Sequence, residues 1–170
     1  SSRRRHTRYI SVTGVQTCAL PISQANLGNG TTIKYSSPIQ VGALTTWKQV
    51  SAAAYMTAAI KTDGTLWTWG INSFGQLGDY TTTPKSSPVQ TIALGNTWKQ
   101  VACGYRHTAA IKTDGTLWLW GRNNNGELGN SLGPTPVSSP VQTSAFGTNW
   151  KQVACGSSHT LAIKEMGDDF

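Results

Sequence analysis

The sequence predicts an all-β chain: a β-propeller of four-stranded blades forming an incomplete ring, with two full repeat units and two partial ones. Three observations carry that prediction. The phrase Trp-Lys-Gln-Val recurs at Trp47, Trp98 and Trp150, 51 and then 52 residues apart, and self-similarity at such a period marks a repeat architecture. Asp63-Gly64 and Asp114-Gly115 each lie between two strand-like runs, where Asp-Gly is a strong hairpin signal and implies a type I′ turn with positive φ at its central residues. In Leu117-Trp118-Leu119-Trp120 both faces are apolar, as expected of a strand buried between stacked sheets.

Taken in chain order, residues 1–22 form a leader that looks non-biological. Val12 to Ile22 resembles an in-frame translation of a common sequencing adapter, and Arg3 to Arg8 resembles the upstream part of the same oligonucleotide. Such a segment is set aside in reasoning about the fold, and Cys18 and His6 go with it. Residues 23–45 are the tail of a first repeat, 46–96 and 97–149 are full repeats, 150–164 are the head of a third, and 165–170 leave the register. Where Thr-Asp-Gly-Thr is expected after Lys164, the chain reads Glu165-Met166-Gly167-Asp168.

Within the second full unit the four strands are placed at WKQVA around Val101, at His107 to Lys112, at Thr116 to Trp120, and at the PVQT segment near Val141. Period-two patterning with turn residues between the runs supports strands.

Composition narrows the function. The chain has 14 basic and 7 acidic residues, a formal charge of +7. Arg3, Arg4, Arg5 and Arg8 lie in the leader, which holds no acid, so the remainder carries 10 against 7, or +3. The basicity therefore gives little support for a nucleic-acid partner. No run of about 18 apolar residues exists, so no membrane-spanning helix is expected.

Several phrases recur together: Ala102-Cys103-Gly104, His107-Thr108-Ala109-Ala110-Ile111, Asp114-Gly115-Thr116-Leu117-Trp118-Leu119-Trp120-Gly121, and Asn123 through Gly129. This pattern resembles the regulator of chromosome condensation repeat family over roughly Leu27 to Lys164. The resemblance implies a propeller whose loops bind a protein partner. It also implies two alternatives: a guanine-nucleotide exchange factor for a small GTPase with chromatin association, or a structural or cell-surface bacterial repeat array. The near-identity of adjacent units fits a recently duplicated bacterial array. The compartment is left open, with a lean to an extracellular or cell-surface bacterial protein. The first full unit departs from the pattern, reading Ala52-Ala53-Ala54-Tyr55-Met56 without the Cys, Gly and His.

No catalytic constellation is found, and no enzyme activity, cofactor or small-molecule substrate is expected. Cys103 with His107, and Cys155 with His159, have spacing that a zinc site could use. They are read as two copies of one structural turn, so no metal is expected. His107 and His159 are read as groups that hydrogen-bond between blades, and Asp63, Gly64, Asp114 and Gly115 as turn residues. Trp47, Trp67, Trp69, Trp98, Trp118, Trp120 and Trp150 are read as core or blade-interface residues.

Positions that differ between copies are the ones the scaffold does not dictate, and loops on a rigid scaffold commonly carry recognition. The candidate binding residues are accordingly Tyr55, Tyr105 and Arg106 in one turn, and Phe74, Arg122 and Asn124 in a second loop.

Overall fold

In the computed structural model the described residues are 16–17, 27–33, 39–42, 46–92, 95–131, 133–145 and 147–165. All but two residues of the 1–22 leader, and all of 165–170 except Glu165, lie outside them.

Two four-stranded antiparallel sheets form the body of the chain. The first holds β3 (Trp47–Ala52), β4 (Met56–Lys61), β5 (Leu66–Gly70) and β6 (Lys85–Gln90), each paired with the next. The second repeats this order with β7 (Trp98–Cys103), β8 (His107–Lys112), β9 (Leu117–Gly121) and β10 (Val137–Gln142). A two-stranded sheet of β11 (Trp150–Cys155) and β12 (Thr160–Lys164) starts a third unit. Another pairs β1 (Gln16–Thr17) with β2 (Ile39–Gln40). Among the described residues no helix is long and apolar enough to cross a membrane.

The sheets stack, with β7 against β4 and β11 against β8. That is why β4 and β8 are buried on both faces while the outer strand β6 is only partly covered. Between the first two sheets lies a core of Met56, Ile60, Leu66, Leu77, Trp98 and Trp120. Trp120 is fully buried, its ring centroid is 6.0 Å from that of Trp98, and its Nε1–H donates to Gln76 O at 2.9 Å.

Each first strand carries a bulge at its lysine. Trp47 pairs with Lys61 but Gln49 with Ile60, so Lys48 is the extra residue, and Lys99 and Lys151 repeat it. A bulge re-aims the side chains beside it. Here it turns a glutamine toward the next sheet. Gln49 Nε2–H donates to Val101 O at 3.1 Å, and its Oε1 accepts from Val101 N at 3.1 Å. Gln100 grips Val153 N and O in the same two-bonded way, at 3.1 and 3.3 Å.

The hairpins are present but their turn is not type I′. Gly64 and Gly115 have φ of 81° and 79°, whereas among the described residues Tyr80 and Ser131 are the non-glycine residues with positive φ, so Asp63 and Asp114 are not among them. Gly64 N–H donates to Lys61 O and Lys61 N–H to Thr65 O. That pattern is a three-residue loop, a turn of ordinary hand closed by a left-handed glycine. The aspartates act by side chain instead. Asp114 Oδ1 accepts from Thr116 N and Oγ1 at 2.9 and 2.6 Å, which ties Thr116 into the turn and starts β9 one residue later than the sequence suggests. These bonds hold the Asp63 and Asp114 carboxyls below their ordinary pKa.

The departures of the first unit follow from packing. Gly104 lies against the His107 ring so closely that a Cβ there would fall 2.2 Å from Cε1, and Gly156 with His159 repeats the arrangement at 2.2 Å. The first unit has Ala53 and Met56 at these places, so glycine and histidine are lost together. Thr108 Oγ1 meets Met56 Sδ at 3.6 Å where Thr160 Oγ1 meets His107 Nε2 at 3.1 Å. Gly104→Ala should therefore destabilise the chain by about 1–3 kcal/mol through overpacking. Adding His107→Met should recover most of that loss, a coupling visible in a urea-unfolding double-mutant cycle. Strict additivity of the two changes would contradict the packing account.

Candidate functional site

Five of the six candidate binding residues meet at the joint between the first two sheets. Tyr55, in the β3–β4 turn, and Tyr105, in the equivalent β7–β8 turn, meet edge to face with centroids 5.1 Å apart. The Arg106 guanidinium lies over both the Tyr105 ring and the Phe74 ring, 5.1 Å from each centroid, and Arg122 stands 6.0 Å from Phe74. All five are partly exposed. Asn124 is exposed in the loop that begins at Arg122, and no ring contact brings it into this group.

The loops are held rigidly from below by residues the sequence analysis did not single out. Asn72 and Asn123 are buried, and their Oδ1 atoms accept from Leu77 N and Leu128 N at 3.0 Å. Gln76 and Glu127 reach back to Phe74 N and Asn125 N, at 2.9 and 2.8 Å. The signal for the asparagines was present in the sequence: they stay constant where their neighbours differ between copies.

The two arginines differ in what occupies them. Arg122 Nε is 3.6 Å from Glu127 Oε1, and that carboxylate is almost wholly buried. Arg106 makes no ion pair among the described residues and instead packs on two rings. Its guanidinium edge remains available to an acceptor, and arginine forks suit carboxylates. The hydrogen bond that the Tyr55 hydroxyl gives to Tyr105, together with the charge of a Tyr105 phenolate beside it, raises the Tyr55 pKa above its ordinary value.

The other candidates lie elsewhere. His107 is buried with its ring nitrogen on Thr160 of the next sheet, and burial lowers its pKa, while His159 is exposed. Cys103 is buried, its thiol donates to Ser51 O, and desolvation pushes its pKa up to about 12. Cys155 is pushed up to about 11 for the same reason. Thiols held protonated in this way are poor nucleophiles and poor metal ligands. Among the described residues no group of three or more His, Cys, Asp or Glu could hold a metal ion. Trp47, Trp67, Trp98 and Trp118 stack with lysines: Lys61 Nζ lies 5.1 and 4.0 Å from the first two rings, and Lys112 Nζ lies 5.0 and 4.2 Å from the second two.

Comparison with known proteins gives a consistent result. A family model described as "Regulator of chromosome condensation (RCC1) repeat" matches residues 63–111 and 114–163, and a second of the same description matches 47–76 and 98–127. The chain is 39% identical to the ultraviolet-B receptor UVR8 of Arabidopsis thaliana over 148 residues, 84% of this chain and 33% of UVR8. It is 34% identical over 119 residues to protein RCC2 of Mus musculus, 69% of this chain and 23% of RCC2. Among solved structures it resembles Prp20p of Saccharomyces cerevisiae, a protein characterised for binding Gsp1p and histones, with a TM-score of 0.74 and 16% identity over 87% of this chain and 39% of that one. The chain thus spans about a third of UVR8 and less than a quarter of RCC2.

Proposed function

Because this chain belongs to the regulator of chromosome condensation (RCC1) repeat family, we propose that it is a protein-recognition scaffold whose partner docks on Tyr55, Phe74, Tyr105, Arg106 and Arg122. The observation that carries this reading is the convergence of aromatic and arginine side chains from different loops on one blade joint. Those residue types dominate interface hot spots. They vary between copies, so packing does not require them, and Phe74 and Arg122 sit on loops pinned by Asn72 and Asn123, which keeps the ordering cost of binding low there.

The chemistry specifies the partner's side. Arg106 packs on the Phe74 and Tyr105 rings, is partly exposed and has no ion-pair partner among the described residues, so the complementary surface presents an Asp or Glu beside an apolar group. Prp20p, which shares the fold, binds Gsp1p and histones. That precedent supports a protein partner for this chain without specifying which.

Selection of a displayed twelve-residue peptide library on the chain tests the proposal. The expected winners carry an acidic residue next to an aromatic or aliphatic one. Arg106→Ala or Tyr105→Ala should weaken them at least about tenfold, as hot-spot truncations do, while Asn124→Ala should leave them unchanged. Binders indifferent to both Arg106 and Tyr105 would place recognition on another surface.

A further inference from the structure

The bulged lysines of the three first strands meet in one cleft. Lys48 in β3, Lys99 in β7 and Lys151 in β11 line an open cleft of about 450 Å³ together with Gln49, Gln100 and Gln152. All three lysines are exposed. Among the described residues every charged side chain lining this cleft is a lysine. A cleft lined by one sign of charge concentrates ions of the other.

The backbone fixes where the lysines stand. Each is the extra residue of its bulge, so the ladder does not dictate its direction. Strand β3 lies beside β7 and β7 beside β11, with Cα atoms within 8 Å of one another, so ammonium groups of neighbouring strands reach a common ligand. Gln49 and Gln100 tie each of these strands to the next through two hydrogen bonds apiece. Sites carried on strands hold their geometry more precisely than sites on loops. The three differ in what occupies them. Lys151 Nζ is 2.6 Å from Glu165 Oε2, and Glu165 is itself anchored by its N–H to Asn149 O at 2.9 Å. One lysine of the trio thus already holds a carboxylate at the distance of a charge-assisted bond. Lys48 and Lys99 have no acidic partner among the described residues. Like charges brought together in this way repel, and a bridging anion relieves that repulsion.

We infer that this cleft is a binding site for a small polyanion, whose several phosphate or carboxylate groups engage Lys48, Lys99 and Lys151 at once. Its volume suits a small molecule, since ligand clefts commonly measure about 300–1,000 Å³. Lysine ammonium groups act as compact point charges without the fork of a guanidinium. The site therefore selects the number and spacing of charges rather than the shape of any one anionic group. It stands apart from the aromatic and arginine surface: Lys99 is at the start of β7, whereas Tyr105 and Arg106 lie beyond its end.

Calorimetric titration of the 170-residue chain with tripolyphosphate and, separately, with citrate at low ionic strength tests this. Saturable binding of at least one is expected, and the tighter of the two tells a phosphate ligand from a carboxylate one. Orthophosphate, which reaches fewer lysines, should bind at least about tenfold more weakly, and Lys99→Gln should weaken the tighter ligand by about the same factor, the loss of one charge-assisted contact. Glu165→Gln frees Lys151 and should tighten binding roughly threefold, the worth of an exposed ion pair. Lys85→Gln removes the same charge from the outer strand β6 and should leave binding unchanged. The tighter ligand should also raise the unfolding temperature of the unaltered chain, but not that of a chain carrying Lys48→Gln, Lys99→Gln and Lys151→Gln together. Absence of saturable binding by both ligands would overturn the inference, as would orthophosphate binding as tightly as tripolyphosphate. Equal losses from Lys85→Gln and Lys99→Gln would overturn it too, leaving only a general attraction of anions to a basic chain.

Discussion

Trp120→Ala should lower the stability of the chain by about 3–5 kcal/mol, the range found when a fully buried aromatic is truncated. The indole is fully buried, lies between Trp98 and Gly78, and donates its N–H to Gln76 O. Removing it empties a socket shared by two sheets, so the loss falls on the contact between units. In repeat proteins stability is close to a sum of unit terms and nearest-neighbour terms, and this substitution acts mainly on the second kind. Urea unfolding should accordingly lose cooperativity as well as midpoint. Trp118→Ala is the internal comparison: that ring is only partly buried and stacks with Lys112, so it should cost less. Trp120→Phe keeps an apolar ring but loses the N–H donor and part of the ring volume, an intermediate loss of about 1–3 kcal/mol. An equal cost for Trp118→Ala and Trp120→Ala would rule out the socket as the principal joint.

Gly115→Ala is the second large effect. At φ +79° an alanine pays for the left-handed backbone, about 1–2 kcal/mol. Its Cβ would also fall 1.7 Å from Thr148 O, backbone that cannot rotate away. Gly115 O accepts from Trp150 N at 3.1 Å, so the hairpin turn and the entry to β11 must shift together. The expected total is roughly 4 kcal/mol, in the range reserved for backbone strain combined with a steric clash. Gly126 separates the two contributions. It has φ +80° with nothing within 4 Å of the place a Cβ would take, so Gly126→Ala should cost only the conformational part. Thermal or urea unfolding of the two variants side by side measures the difference, and matching losses would show that the close approach to Thr148 carries no weight.

Most of the fold was legible in the sequence because a repeat states each element more than once. Strand β8 has the bounds read from His107-Thr108-Ala109-Ala110-Ile111-Lys112, and the Asp-Gly hairpins are where the sequence placed them. The turn type was not legible. Type I′ and the three-residue loop both favour Asp-Gly, and only the φ of the aspartates and the backbone bonds closing the loop tell them apart. The glutamine grip on the next sheet was hidden for a different reason: it depends on a bulge at Lys48 and Lys99, and one extra residue in a strand leaves no periodic mark. The candidate site was half legible. Comparing copies found the residues that vary, but no spacing rule could say that Phe74 and Arg106, 32 positions apart, would stack.

The sockets and glutamine grips have a consequence for how such a gene can change. Each joint uses the same few positions on either side: a glycine and carbonyl from one unit, a tryptophan and threonine from the next. Unequal recombination that copies or deletes one whole period rejoins identical chemistry at the seam, so the number of units is free to drift while the rest of the chain stays in phase. A break anywhere else within the period strands half a joint on each side. Selection on such a locus should therefore tolerate changes in copy number far more readily than short insertions within a unit.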